Sequence, residues 1–194
     1  MYVAIEGIDC VGKSTQIELL KKDFKEALFT FEPGATELGK NIRNILLDGK
    51  FALSKKTEFL LFLADRAQHY YEVISKNKEK LIISDRSLIS GIAYAKDYDI
   101  ELLFKLNSFA IDDFLPQKII FLYIDEEELS KRLENKAKDN IEKRGISYFL
   151  EIQNNIKNTI NFLKEKEKKL KILNINAALK KEEIYKKIKE FLND

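Results

Sequence analysis

The stretch that decides the fold reads Gly7-Ile8-Asp9-Cys10-Val11-Gly12-Lys13-Ser14-Thr15, and it directly follows the apolar run Tyr2-Val3-Ala4-Ile5. Glycines at both ends of such a loop allow the backbone to curl, so that successive N–H groups point towards a polyphosphate. The helix that begins at Lys13 presents the positive end of its dipole to the same anion. Lys13 adds a full charge for the outer phosphates, and the Ser14 hydroxyl is placed to bind Mg²⁺. Strand, loop and helix together predict a phosphate-binding loop (P-loop) in a nucleotide-binding protein.

Short β-rich runs alternate with longer helical patterns along the rest of the chain. Strands are predicted at residues 2–6, 27–31, 81–85, 118–124 and 170–175, and helices at residues 13–26, 37–47, 56–76, 89–95, 100–114, 126–134, 146–168 and 181–192. This alternation is typical of a parallel sheet covered by helices on both faces. The predicted fold class is α/β: a three-layer P-loop NTPase-like fold with a five-stranded parallel sheet, in a single domain over residues 1–194.

Polar residues follow three of the predicted strands. The P-loop follows the first strand, Glu32-Pro33-Gly34 the second and Asp85-Arg86 the third. In parallel sheets, ligands bind beyond the carboxyl ends of the strands, so these segments are expected to meet in one crevice. Asp85 is the candidate acid near Mg²⁺ opposite the P-loop. A structural ion pair also explains Asp85-Arg86, and a simple turn also explains Glu32-Pro33-Gly34.

Length and charge exclude several classes of protein. The 194 residues carry 34 basic and 32 acidic side chains, and a formal charge of +2 offers no global field for nucleic acid. The Lys- and Glu-rich run 164–171 is interpreted as a solvated helix face. No signal peptide or membrane-spanning run is recognisable, so we expect a soluble cytoplasmic protein.

The single cysteine, Cys10, fits a tight loop, although its position near Lys13 would also favour a reactive thiol.

Two kinds of P-loop protein are disfavoured by motifs that the sequence lacks. A switch GTPase would carry an Asn-Lys-x-Asp motif near the end of a late strand, whereas Asn135-Lys136-Ala137-Lys138 has no aspartate and lies in a charged helical stretch. A motor ATPase would need further domains to couple hydrolysis to motion. A compact phosphotransferase remains.

The order of the motifs over nearly the whole chain resembles the thymidylate kinase family. The resemblance rests on residues 5–9 leading into the P-loop, Phe29-Thr30-Phe31-Glu32-Pro33-Gly34-Ala35-Thr36, Arg43, Leu61-Phe62-Leu63-Ala64-Asp65-Arg66-Ala67-Gln68, and Ser84-Asp85-Arg86 with Ser90 and Tyr94 downstream. It implies transfer of the γ-phosphoryl group of ATP to thymidine monophosphate, with Mg²⁺ as cofactor. It also implies that residues 7–15 bind ATP and that the protein is a homodimer, for which Phe59, Leu60, Leu63, Phe104 and Phe109 are candidate apolar contacts.

The resemblance also assigns the acceptor site. Phe62 and Arg66 stand four apart and share a helix face; Phe62 resembles the ring that stacks on thymine, and Arg66 the donor to its carbonyl edge. Arg43 and Arg86 resemble the pair that holds the acceptor phosphate. The remaining substrate-binding assignments are Tyr94 against the sugar, Ser90 as a polar contact to the base, and Glu32 and Pro33. Glu32 is also a candidate to bind metal-linked water. Asp9, Ser14 and Asp85 are assigned to the metal.

Residues 132–145 correspond to the family's lid, and Arg132 and Glu142 match its charged positions. The implied catalytic residues are Asp9, Lys13, Arg86 and Arg132. The chain departs from the family pattern in having Asn140 before Ile141-Glu142, Phe31 before Glu32, and Cys10 and Val11 where the P-loop would hold an arginine. Lys136, Lys138, Lys143 and Arg144 are possible substitutes for the missing cation, but a lysine does not reproduce the two-point contact of a guanidinium.

His69, the single histidine, is interpreted as a packing or surface residue. The loop at residues 174–178 resembles the adenine-side loop of nucleotide kinases, and an ordinary strand-to-helix turn also explains it. A kinase with a different nucleotide acceptor, and a nucleotide-binding regulator without catalysis, remain alternatives to the predicted enzyme.

Overall fold

Five parallel strands form one sheet in the computed structural model, which describes residues 1–134 and 145–194. The strands are β1 (Tyr2–Glu6), β2 (Leu28–Phe31), β3 (Ile82–Asp85), β4 (Lys118–Tyr123) and β5 (Lys171–Asn176). Their order is β2-β3-β1-β4-β5, and each neighbouring pair is parallel. β1, β3 and β4 are buried along almost their whole length, as expected for a sheet covered on both faces. The predicted fold class is confirmed.

Eight α-helices lie in the described residues: α1 (Lys13–Asp23), α2 (Glu37–Leu47), α3 (Lys55–His69), α4 (Leu88–Tyr94), α5 (Ile100–Ala110), α6 (Glu126–Glu134), α7 (Gly145–Lys166) and α8 (Lys181–Asn193). α1 packs on α8, whereas α4 packs on α3, α5 and α7. These two groups of helices and the sheet between them make the three predicted layers. None of the helices within residues 1–134 and 145–194 has the length and apolar character needed to cross a membrane.

Two of the predicted helices end at least four residues earlier than expected, whereas the helix predicted at residues 13–26 ends three residues early, at Asp23. The helix predicted at residues 56–76 is α-helical only to His69, and a π-helical turn at Tyr70–Ile74 and a 3-10 turn at Ser75–Asn77 follow. The helix predicted at residues 100–114 ends at Ala110, before two aspartates with positive φ. Ile111 and Phe114 still pack on the core beyond that end. The apolar pattern therefore continues past the helix and does not mark where it stops.

Most of the predicted lid lies outside the described residues. Asn140, Glu142 and the candidate substitute cations at positions 136, 138, 143 and 144 all fall there. The two ends of the segment are described: Arg132 is in α6, and Gly145 begins α7.

Candidate active site

The P-loop joins the carboxyl end of β1 to α1 and passes very close to β4. Gly7 has a φ of +148°, and a Cβ atom there would lie 2.5 Å from the Leu122 carbonyl oxygen. Gly12, with a φ of +91°, is the N-cap of α1. The side chains of Ile8 and Val11 are buried in the core, so only their backbone groups are placed for a nucleotide. The backbone of the loop therefore turns at its two glycines, as predicted.

Lys13 is buried beneath this loop. Its Nζ donates to the carbonyl oxygens of Gly7 at 3.0 Å and Ile8 at 2.9 Å. Burial, helped by the nearby positive charge of Arg86, lowers the pKa of Lys13 to about 8. The ammonium is therefore close to titrating near neutral pH, and a polyanion beside it would favour its charged form.

Arg86 stands between the P-loop and α4. It has a φ of +72°, and this backbone turn is held by bonds from Ser84 Oγ to its carbonyl oxygen at 2.7 Å and from its N–H to the Ile5 carbonyl oxygen at 3.0 Å. Its Nη2 donates to Asp9 Oδ1 at 2.6 Å, and its Nη1 to Ser90 Oγ at 3.1 Å. Desolvation alone would lower the pKa of Arg86, but neighbouring groups, including Asp9, raise it, so the guanidinium stays charged.

Asp85 fits the metal-side role predicted for it. In the described part of the chain, its Oδ1 is buried without a hydrogen-bond partner, and a buried oxygen of this kind is suited to a cation or its water. Ser14 is exposed at the start of α1. The described residues hold no cluster of three or more metal-binding side chains, but Mg²⁺ in kinases takes most of its ligands from phosphate and water. Ser14 and Asp85 therefore suit a nucleotide-bound Mg²⁺.

A cavity of about 500 Å³ opens beside the P-loop, between α2, α3 and α4. It brings together every acceptor-site residue predicted from the sequence, together with Asp9. The lining includes Asp9, Glu32, Pro33, Arg43, Phe62, Arg66, Arg86, Ser90 and Tyr94. Arg86 also lies over the Tyr94 ring, 5.5 Å from its centroid. Arg43, on α2, donates from Nη1 to the Pro33 carbonyl oxygen at 2.8 Å and so borders the same cavity. The roles of these residues stay predictions.

Arg66 is almost fully buried, with a relative exposure of 3%. An arginine that contacted the base from the protein surface would be more exposed. Its Nε and Nη2 donate to Glu32 Oε2 at 2.9 and 2.7 Å. Nη1 donates to Asn107 Oδ1 at 2.5 Å, and Nη2 also donates to the Ser87 carbonyl oxygen at 3.0 Å. Gly91 makes room for the guanidinium, since a Cβ atom there would lie 2.4 Å from Nη1.

His69 and Glu32 continue this network into the interior. His69 is fully buried, with Nδ1 3.0 Å from Glu32 Oε1 and Nε2 2.6 Å from Thr30 Oγ1. Burial alone would raise the pKa of Glu32, but Arg66 and His69 outweigh it and hold that pKa at about 2. Of the two interpretations of His69, packing or surface residue, the structure shows a buried packing residue. Both of its ring nitrogens are within hydrogen-bond distance of a partner. Glu32 faces Arg66 and His69, whereas the sequence predicted a contact with metal-linked water.

Glu6 is a site residue to which the sequence assigned no role. Its carboxylate accepts from Ser87 Oγ at 2.7 Å and from Ser90 Oγ at 2.6 Å, and it is completely buried. The sequence feature that could have indicated this role is a single charged residue at the end of an otherwise uncharged buried strand. Charged residues are almost never fully buried unless they are paired.

Arg132 links the P-loop to the segment that follows β5. Its Nη1 donates to the Cys10 carbonyl oxygen at 3.1 Å, its Nη2 to the Ala177 carbonyl oxygen at 2.6 Å, and its Nε to Glu128 at 2.8 Å. The predicted adenine-side loop is thus beside the P-loop. The catalytic role of Arg132 stays a prediction.

The fold and this site define a class, the P-loop phosphotransferases. A family model described as thymidylate kinase matches residues 5–188. The chain is 59% identical to the thymidylate kinase of Campylobacter jejuni subspecies doylei, over 99% of this chain and 100% of that protein. It is 49% identical to the thymidylate kinase of Helicobacter hepaticus, over 100% of this chain and 98% of that protein. This chain belongs to the thymidylate kinase family.

Solved structures agree with the fold. The crystal structure of thymidylate kinase from Ehrlichia chaffeensis is similar to this chain with a TM-score of 0.73 and 23% identity, covering 100% of this chain and 98% of the other. The thymidylate kinase structure from Candida albicans gives a TM-score of 0.72 at 23% identity, covering 99% of this chain and 90% of the other.

Proposed function

We propose that this chain transfers the γ-phosphoryl group of ATP to thymidine monophosphate, giving ADP and thymidine diphosphate. The supporting observation is the lining of the cavity beside the P-loop, which joins Phe62 and Arg66 of α3 with Arg86 and Asp9. The acceptor base and the acceptor phosphate therefore have separate partners. With the phosphate next to the P-loop, direct in-line transfer needs no covalent enzyme intermediate.

Each charged group has a task in this reaction. Lys13 and the P-loop N–H groups hold the donor phosphates, while Arg86 and Arg43 hold the acceptor phosphate in two-point contacts. Asp9 keeps Arg86 oriented through its 2.6 Å contact. Burial raises the pKa of Tyr94 to about 12, so its hydroxyl keeps its proton and can donate to the acceptor.

Mg²⁺ would be held at Ser14 and Asp85, with Asp9 nearby, as the sequence predicted. Bound there with ATP, it would neutralise charge on the transferring phosphate. The kinase activity of the family implies ATP as the phosphoryl donor. We propose in addition that the reaction depends on Mg²⁺.

The test is ADP formation by the purified protein with Mg²⁺-ATP and a panel of nucleoside monophosphates. We expect turnover of thymidine monophosphate, with Lys13→Ala as the inactive control. Deoxyuridine monophosphate is expected to react less well, because one methyl group in an apolar pocket is worth about 1–3 kcal/mol. Preferential turnover of another acceptor would overturn the roles of Phe62 and Arg66. Binding of both nucleotides without turnover would identify a regulator.

We also propose a homodimer formed through α3 and α5, which pack against each other. Leu60 is 50% exposed and Phe109 is 83% exposed, and apolar side chains of this size favour an interface when exposed together. Phe59 is buried in the core, so it is the weakest of the predicted contacts. Light scattering should give twice the 22.6 kDa of one chain, and Phe109→Asp should shift the mass to the monomer. A wild-type monomer would contradict the proposal.

A further inference from the structure

Glu6 is a buried carboxylate that binds two hydroxyl groups of one short segment. It ends β1 and has no exposed surface. Ser87 Oγ donates to Oε1 at 2.7 Å and Ser90 Oγ donates to Oε2 at 2.6 Å. Both serines belong to the start of α4, with Ser87 as its N-cap. One carboxylate therefore fixes the first turn of α4 against β1.

The same two serines are bound to the two arginines of the acceptor site. Ser90 Oγ accepts from Arg86 Nη1 at 3.1 Å, and the Ser87 carbonyl oxygen accepts from Arg66 Nη2 at 3.0 Å. Arg86 comes from the β3–α4 turn, whereas Arg66 comes from α3. One serine residue therefore stands between Glu6 and each guanidinium group, and Glu6 does not itself line the cavity described above.

We propose that Glu6 is a positioning residue that sets the separation of Arg66 and Arg86, and thereby the length of nucleoside monophosphate the site accepts. The proposal rests on the proposed function, in which the two arginines bind opposite ends of the acceptor. A fixed separation matters because misplacing substrate by about 1 Å can cost on the order of a hundredfold in rate.

The hydrogen-bond inventory explains why a carboxylate is needed there. Each serine hydroxyl has one hydrogen, and both are donated to Glu6 while the oxygens accept from elsewhere. Ser90 Oγ accepts from Arg86 Nη1, and Ser87 Oγ accepts from the Ile89 N–H at 3.2 Å. An amide in place of the carboxylate would direct its own N–H at one hydroxyl. That hydroxyl would lose its acceptor. At Ser90 its bond with Arg86 would loosen directly, whereas at Ser87 the N-cap of α4 would shift and with it the carbonyl oxygen that binds Arg66.

Glu6→Gln is the test variant because it keeps the size of the side chain and changes one acceptor into a donor. Lys118→Met is the matched control: Lys118 is also a buried charged residue, but it begins β4, at the opposite end of the sheet, and donates to the last carbonyls of α8. Both substitutions disturb a buried polar group, but only Glu6→Gln alters residues that are hydrogen-bonded to Arg66 and Arg86. Any loss of stability common to both variants is therefore separated from the effect on the site.

The first measurement does not depend on which nucleotide reacts. In ¹H–¹⁵N spectra, the Nε–H signals of Arg66 and Arg86 should both move in Glu6→Gln and stay in place in Lys118→Met. The Nε–H signal of Arg132, which bonds Glu128, is the internal reference and should stay in place in both. If the Arg66 and Arg86 signals do not move, the positioning role is wrong, whatever the acceptor.

The second measurement is steady-state kinetics with Mg²⁺-ATP and thymidine monophosphate. A buried group left unsatisfied predicts a rise of about tenfold or more in the KM for thymidine monophosphate in Glu6→Gln, with the KM for ATP within about twofold of wild type. A purely structural role would lower the melting temperature and the active fraction without this selective change in KM, and that result would overturn the proposal. If the wild type does not use thymidine monophosphate, the proposed function fails and the spectra alone decide the role of Glu6.

Ser87→Ala provides a second variant in case Glu6→Gln does not fold. It removes one donor to Glu6 and the N-cap bond from the Ile89 N–H, so the Ser87 carbonyl that binds Arg66 is no longer fixed against β1. A displaced Arg66 signal and a raised KM for thymidine monophosphate support the proposal. Wild-type signals and an unchanged KM contradict it.

Discussion

Gly91→Ala tests how firmly the acceptor site holds Arg66. A Cβ atom at position 91 would lie 2.4 Å from Arg66 Nη1 and 3.0 Å from Cζ and Nη2. The tip of an arginine usually moves aside easily. Here Glu32, Asn107 and the Ser87 carbonyl hold it at 2.5–3.0 Å, so any shift that relieves the clash weakens a buried hydrogen bond.

Two opposing effects set the size of the change. Overpacking a buried site costs about 1–3 kcal/mol, whereas alanine in place of glycine inside a helix gains at most about 1 kcal/mol. With the full helix gain, the free energy of unfolding should therefore fall by about 0–2 kcal/mol. Because Gly91 and Arg66 both line the cavity, the KM for thymidine monophosphate should rise in the same variant.

Urea unfolding of a double-mutant cycle provides the assay. Arg66→Lys removes the forked tip that the new Cβ would meet, so Gly91→Ala should be neutral or stabilising in that background. The coupling between the two changes should fall in the range of about 0.5–3 kcal/mol found for residues in contact. Additivity within about 0.5 kcal/mol would refute the idea that Arg66 is held in place.

Three further perturbations follow from buried groups of the site. At pH 7, below its pKa of about 8, Lys13 is charged while buried, at a cost of about 3 kcal/mol. Lys13→Met should therefore raise the melting temperature measured without nucleotide while abolishing turnover, and a lower melting temperature would contradict this. Glu32 has a folded pKa of about 2 against an ordinary 4.5, so it contributes about 3 kcal/mol above pH 4.5 that is lost as the pH falls through 2. Urea titrations should show Glu32→Gln less stable than wild type by that amount at neutral pH, with the gap narrowing below pH 4.5; a gap independent of pH would contradict it. Gly7→Ala should lose ATP binding by calorimetry, because its Cβ would lie 2.5 Å from the Leu122 carbonyl oxygen at a φ of +148°; wild-type affinity would contradict it.

The parts of the site that could be predicted from sequence are those encoded locally. The P-loop is contiguous, and its two glycines stand at the positive φ values that the motif requires. Phe62 and Arg66 are four positions apart on α3, so their shared lining of the cavity follows from helix geometry. The strands at residues 2–6 and 118–124 were placed to within a residue because continuous apolar runs are typical of buried parallel strands.

The rest could not be predicted, because it depends on partners far apart in the chain. The ring of His69 lies between Thr30 and Glu32, which are 39 and 37 positions away. Glu6 meets its serines more than 80 positions later. A single sequence shows that a charged residue is buried only indirectly, and it does not show which groups satisfy it.

The bonds around Arg66 limit how the base can be recognised. A guanidinium has five N–H groups. Within the described residues, Glu32, Asn107 and the Ser87 carbonyl accept four of them, which leaves one on Nη1. Nη1 is the atom that faces Gly91 at the cavity wall. If Arg66 reads the base, it does so with a single donor rather than the two-point fork used for phosphates.

A single charged donor has a bounded effect on affinity. One such hydrogen bond contributes about 1.5–3 kcal/mol, so a pyrimidine monophosphate that lacks the matching carbonyl should bind about 10–150 times more weakly. Stacking on Phe62 and the apolar wall would supply the remaining affinity for the base. A much larger loss, measured by calorimetry with the deoxygenated analogue, would mean that Arg66 gives up its contact with Glu32 to form a fork, and that the buried network rearranges when the acceptor binds.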